Sequence, residues 1–139
     1  MKMNWLIYAM LGMISLGIMS LLLKKLTIEN LRAEVMLLFL FFFAAVFYLL
    51  QILLTKTQIK VNYFLIFLII VAALFSYIGN LFLVKSIATA PNPAYTIAII
   101  SLQTILVAIG SYFIFNSQLT AINLLGVVLG IIAIILLSL

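Results

Sequence analysis

Five apolar runs, each about as long as a helix that crosses a bilayer, leave this chain few folds to choose from. They extend over roughly Asn4 to Leu23, Val35 to Leu54, Tyr63 to Val84, Ala94 to Phe115 and Ala121 to Leu139. An α-helix rises about 1.5 Å per residue, so roughly 20 residues cross a hydrocarbon core about 30 Å thick. Hydrocarbon offers no partner to a backbone amide, so each run must satisfy its own hydrogen bonds as a helix. A β-barrel would instead show short segments of alternating polarity, and the runs are continuous. The expected fold class is all-α integral membrane, with five transmembrane helices.

Composition agrees. Of 139 residues, 69% are hydrophobic and 6% charged, whereas a soluble domain is about half apolar and a quarter charged. Five spans with short loops use up the length, so one domain over residues 1–139 is expected. The separators are short. Lys24 to Glu34 is charged, and Thr55 to Asn62 is polar with two lysines. Pro91-Asn92-Pro93 divides spans three and four, since proline lacks the amide proton and disfavours helix before it. Asn116-Ser117-Gln118 reads as a tight turn, with Ser117 or Thr120 placed to cap span five. The first run is long for a secretory signal and lacks a small-x-small cleavage site, so it is read as a retained span.

The net charge of +5 comes from Lys2, Lys24, Lys25, Arg32, Lys56, Lys60 and Lys85 against two acids. These bases flank apolar runs, where they meet headgroups and bias orientation, and they form no nucleic-acid-binding patch. With five spans the termini lie on opposite sides. Lys2, Lys56 and Lys60 then fall on one side, and Lys24, Lys25, Arg32 and, by its position, Lys85 on the other. So flat a balance fits insertion in both orientations; a single dominant base near the first span is the alternative.

The chain has no cysteine and no histidine. Disulfides, thiolate chemistry, the usual zinc sites, haem ligation and imidazole acid–base catalysis are excluded. Both acids, Glu29 and Glu34, lie in or beside the first loop, so no span carries the carboxylate that a proton- or cation-coupled carrier often uses. No catalytic constellation, metal site or cofactor is expected.

What remains is a thin set of polar groups inside the spans. They include Ser15 in span one, Ser76, Tyr77 and Asn80 in span three, and Tyr95, Thr96, Ser101, Gln103 and Thr104 in span four. Such groups face other helices or a wet cavity. Spans three and four are richest, which places the expected cavity between them. Single hydroxyls also read as inter-helix glue. For Asn80 and Gln103, whose amides are costlier to bury, pocket and packing stand side by side. Lys85 either snorkels to the interface or holds an anionic group. Gly126 and Gly130 have Gly-x-x-x-Gly spacing with Ala133 one turn on, a pattern that lets helices approach closely.

The carboxyl-terminal part carries a resemblance. Pro93-Ala94-Tyr95-Thr96-Ile97 opens span four, Ser101-Leu102-Gln103-Thr104 follows, Phe115-Asn116-Ser117-Gln118-Leu119-Thr120 turns, and Leu125-Gly126 and Ala133 mark span five. This resembles one five-span repeat of an EamA-type transporter of the drug/metabolite transporter superfamily, and is similar to the small multidrug resistance proteins. The EamA pattern has Ser-Leu-Glu-Pro where Ser101-Leu102-Gln103-Thr104 stands, a Glu at the turn where Ser117 stands, and a second Gly in place of Ala133. The coupling Glu of the small multidrug resistance proteins would fall near Leu16, where there is no acid. Tyr95 matches a binding-site tyrosine of those proteins.

The resemblance implies a transporter, not an enzyme, in the cell (inner) membrane. A single repeat of odd span number is then expected to pair antiparallel with an inverted copy or relative, which restores an inverted-repeat architecture. Tyr95, Gln103, Asn80, Tyr77 and Ser15 are the expected lining residues, with Lys85 for an anionic group, and Gly126, Gly130 and Ala133 form the expected dimer face. The substrate class is a small metabolite or amphiphile, with membrane lipids around it. The other readings are a flippase for a lipid-linked anionic headgroup and a non-transporting scaffold subunit.

Overall fold

A computed structural model describes residues 4–116 and 120–138. The described residues are helical with short links: α1 (Asn4–Ile28), α2 (Ala33–Thr55), α3 (Tyr63–Thr89), α4 (Pro93–Ile100), α5 (Gln103–Phe115) and α6 (Ala121–Ser138). The chain divides into two compact units, Met1–Thr89 and Ala90–Leu139. Four stretches are long and apolar enough to cross a bilayer: Leu6–Ile28, Ala33–Thr55, Tyr63–Thr89, and Pro93–Phe115, which joins α4 and α5. The 18-residue α6 spans about 27 Å by helical rise.

The charged separators are shorter than the sequence suggests. Helix α1 continues through Lys24 and Lys25 to Ile28, and α3 continues through Lys85 to Thr89. Lysine is a good helix former, and its position marks the edge of the hydrocarbon rather than the end of the helix. The ends themselves are set by backbone geometry. At the end of α1, Asn30 takes a left-handed φ of 63°. The Leu31 amide then donates to the Leu26 carbonyl at 3.2 Å and Asn30 to Thr27 at 3.1 Å, the paired bonds of a Schellman cap. Helix α2 ends the same way on Lys56, with Thr57 donating to Ile52 and Lys56 to Leu53. Asn116 closes α5 at φ 48°.

Asparagines also start helices. The Asn62 Oδ1 accepts from the Leu65 amide at 2.9 Å ahead of α3. The Asn92 Oδ1 accepts from Ala94 at 2.9 Å, with Pro93 in the first position of α4. Both satisfy amides that a helix start leaves open, and proline fits there because it has none to satisfy. Ser117, expected as a cap for the last span, lies outside the described residues, as does the side chain of Ala133.

In the first unit, α3 packs against both α1 and α2. The buried side chains gather at one end: Ser20 and Leu23 of α1, Met36 and Leu37 of α2, Val84 and Ile87 of α3. Toward the other end the described side chains are mostly exposed, including every one in the 61–70 stretch. The three helices therefore converge at the end that carries the α1–α2 link. In a bilayer, close van der Waals packing and interhelical polar contacts hold such a junction, because lipid removes the hydrophobic drive between helices.

Lys24 supplies the polar contact. Its Nζ donates to the Ile87 carbonyl at 2.9 Å and to the Ala88 carbonyl at 3.4 Å. These belong to the last turn of α3, whose carbonyls have no partner within the helix and carry the negative end of its dipole. An ammonium there satisfies acceptors and complements the dipole together. Replacing Lys24 with Met should cost about 1–2 kcal/mol of stability. It should lower the melting temperature in detergent, and Lys24→Arg should recover part of the loss. Equal melting of the wild type and Lys24→Met would show that this contact holds nothing.

In the second unit, α4 packs against α6, and Thr96 and Ala98 of α4 are buried.

Candidate functional site

A cleft of about 570 Å³ opens in the first unit between α2 and α3. Glu34, Leu37, Leu38, Phe41 and Phe42 form the α2 wall. The α3 wall holds Ala73, Ser76, Tyr77 and Leu81. Helical spacing explains the set: residues three and four apart share a face, so 34, 37, 38, 41 and 42 line one side and 73, 76, 77 and 81 the other. The volume falls in the range of small-molecule sites, and apolar walls with a few placed polar groups are typical of them.

The polar groups meet at defined points. Glu34 sits in the first turn of α2, where the helix dipole favours a negative charge. One carboxylate oxygen lies 3.5 Å from Lys85 Nζ, and the other lies 3.5 Å from Arg32 Nε. All three side chains are well exposed, so these pairs add little to stability. Along α3, the Asn80 Nδ2 donates to the Ser76 carbonyl at 2.8 Å and to Ser76 Oγ at 3.2 Å. In the second bond the Ser76 hydroxyl acts as acceptor, and Ser76 itself lines the cleft.

Of the residues expected to line a site, one lines this cleft, and two contact residues in its wall. Tyr77 lines it directly, Asn80 holds Ser76 in its wall, and Lys85 is paired with Glu34. Ser15 does not join them; its Oγ donates to the Leu11 carbonyl of its own helix at 2.9 Å. Glu34 was missed because its position beside the first loop made it look like a loop charge. The usable signal was its helical register with the apolar series Leu37, Leu38, Phe41 and Phe42.

The second unit carries Tyr95 on α4 and Gln103 as the first residue of α5, both exposed. The Gln103 side-chain amide makes no hydrogen bond to another described residue. The expected continuous fourth span is interrupted between Ile100 and Gln103. Ser101 and Leu102 keep right-handed dihedrals, but the hydrogen bonds shorten to three-residue steps. Leu102 donates to Ile99 at 3.1 Å, Thr104 to Ser101 at 3.1 Å and Ile105 to Leu102 at 2.9 Å. Two hydroxyls bond back into the same turns: Ser101 Oγ to the Ile97 carbonyl and Thr104 Oγ1 to the Ser101 carbonyl, both at 2.8 Å. Such bonds compete with the helical ladder and bend it. A tightened turn inside a long helix often marks a hinge or a functional site.

A proline inside an intact helix costs about 3 kcal/mol or more, but much less in a first turn. Thr104 lies in the first turn of α5, so Thr104→Pro should cost about 1 kcal/mol, and Val107→Pro about 3 kcal/mol or more. Thermal unfolding in detergent reads both. Equal losses would mean that the span is a continuous helix at Thr104.

Gly126 and Gly130 lie on α6, and a side chain built at either meets no neighbouring atom within 4 Å. The described residues contain no cluster of metal-ligating side chains.

No curated protein and no solved structure gave a match to the chain. The EamA-like transporter family matches residues 3–139, nearly the whole sequence and both units. Its members are transporters rather than enzymes, and the membrane-crossing helices agree with a multi-pass membrane protein. On that match the chain belongs to the EamA-like transporter family.

Proposed function

We propose that the chain is one subunit of an antiparallel dimer that moves a small metabolite or amphiphile across the cell (inner) membrane by alternating access. The observation that carries this reading is the extent of the family match, residues 3–139, over a chain with five apolar runs. An odd number of spans reverses the orientation of whatever follows. One such unit builds an inverted-repeat architecture with an inverted partner, a copy of itself or a relative. The nearly even distribution of basic residues across the two sides suits dual insertion.

Each unit offers polar groups in an apolar setting: in the first, the α2–α3 cleft has apolar walls with Ser76 and Tyr77; in the second, the interrupted fourth span carries exposed Tyr95 and Gln103. The substrate contacts are assigned to Tyr77, Asn80, Tyr95 and Gln103, with Ser15 and Lys85 in supporting places. The face of α6 that carries Gly126 and Gly130, with Ala133 in the same register, is assigned to subunit pairing.

Substrate uptake into reconstituted vesicles tests the site. Tyr95→Ala and Gln103→Ala should each lower uptake about tenfold, the effect of losing roughly 1.4 kcal/mol of interaction; unchanged uptake in both would remove them from the path. Orientation is read from a Thr57→Cys variant, since the chain has no cysteine of its own. Labelling from outside with an impermeant thiol reagent should stop near half. Complete or absent labelling would require a different, inverted partner chain. Gly126→Ile with Gly130→Ile should leave the single chain folded and weaken dimerisation, read by crosslinking in the membrane.

A further inference from the structure

The α2–α3 cleft changes polarity along its length. Its charged end is Glu34, in the first turn of α2 and next to the link that carries Glu29 and Arg32. From there the trough follows α2 past Leu37 and Leu38 to Phe41 and Phe42, about 12 Å of helical rise toward the bilayer centre. A charged rim at the interface above an apolar trough has the shape of a phospholipid, with its headgroup outside and one acyl chain within.

The order of charges narrows the headgroup. Glu34 stands between two cations, Arg32 on one carboxylate oxygen and Lys85 on the other. Both contacts are 3.5 Å, long against the 2.7–2.9 Å or so of a strong charge-assisted bond. A carboxylate accepts about four hydrogen bonds, so Glu34 has room for a better donor. A primary ammonium supplies it, and the adjoining phosphate then faces Arg32 and Lys85. A choline headgroup has no N–H to donate. A purely anionic headgroup brings no partner for Glu34 and meets its repulsion.

We propose that this cleft binds a phospholipid with a primary-amine zwitterionic headgroup. Its ammonium sits on Glu34, its phosphate lies against Arg32 and Lys85, and one acyl chain runs along Leu38, Phe41 and Ala73. The lipid site shares its cleft with the substrate path proposed above and so rests on that reading only for its location; a lipid held there need not be the cargo.

Native mass spectrometry of the full chain in detergent tests this with phosphatidylethanolamine, phosphatidylcholine and phosphatidylglycerol of identical acyl chains. The ethanolamine lipid should be retained about tenfold more than either of the others, as expected of one extra charge-assisted hydrogen bond. Glu34→Gln should remove that preference while leaving weak retention of all three. Equal retention by the wild type, or a preference that survives Glu34→Gln, would overturn the assignment. If Glu34→Gln does not fold, Ala73→Phe carries the test: it fills the trough without removing a polar group and should abolish the ethanolamine adduct. Persistence of the adduct in that variant would overturn it equally. Lipid retention in Glu34→Gln and substrate uptake in Tyr95→Ala and Gln103→Ala are separate readouts, so failure of the lipid site and failure of the transport reading are distinguishable.

Discussion

Hydrocarbon cannot hydrogen-bond to a peptide group, and the rest of this architecture follows from that constraint. Each stretch inside the bilayer must close its own ladder of bonds, and deviations are confined to places where something else satisfies the backbone. The helix ends show how this is done without a soluble domain. Asn30, Lys56 and Asn116 adopt left-handed conformations, and Asn62 and Asn92 lend side-chain oxygens to open amides. Lysine in a left-handed conformation is less usual than glycine or asparagine, and a strain of about 1 kcal/mol there is offset by the two bonds that Lys56 and Thr57 make back to α2.

The same constraint gives the basic residues more than one task. Read by position alone, Lys24 and Lys85 are boundary markers that bias insertion. In the folded first unit, Lys24 bridges to the last carbonyls of α3 and Lys85 faces Glu34. These groups act at the end where α1, α2 and α3 converge, so a base that flanks the hydrocarbon, Lys24, also joins two helices. The consequence is a bundle closed at one end and looser toward the other, with the cleft beginning at the closed end.

Much of this was legible in advance. Run length and continuity gave the helices, and proline and asparagine gave the breaks, because these signals are local and backbone-based. The outer limits of α1 and α3 were not legible, since Lys24, Lys25 and Lys85 lower hydropathy without lowering helix propensity. Tyr77, Asn80 and Lys85 were legible as polar residues in an apolar setting; Tyr77 lines the cleft, while Asn80 and Lys85 contact Ser76 and Glu34 in its wall. Glu34 was not, because its role depends on facing Lys85, 51 positions away in the chain, and no local pattern encodes that pairing. Ser15 looked equivalent to Ser76 in sequence. The difference lies in which face of each helix meets a neighbour, and a nearly all-apolar helix has too weak an amphipathic signal to reveal it.

The interrupted fourth span shows how one physical effect is reached by different residues. The family pattern carries a proline at the position of Thr104, and a proline breaks a helix by removing an amide donor and crowding the preceding turn. Here the donor is retained, and the Thr104 amide bonds to Ser101 through a tightened turn. Two hydroxyls, Ser101 Oγ and Thr104 Oγ1, share the carbonyls of Ile97 and Ser101 with the backbone amides. A carbonyl that accepts from both an amide and a hydroxyl keeps a partner where the helical ladder is locally broken. For a subunit proposed to alternate between two access states, this tightened turn lies in the span that carries Tyr95 and Gln103.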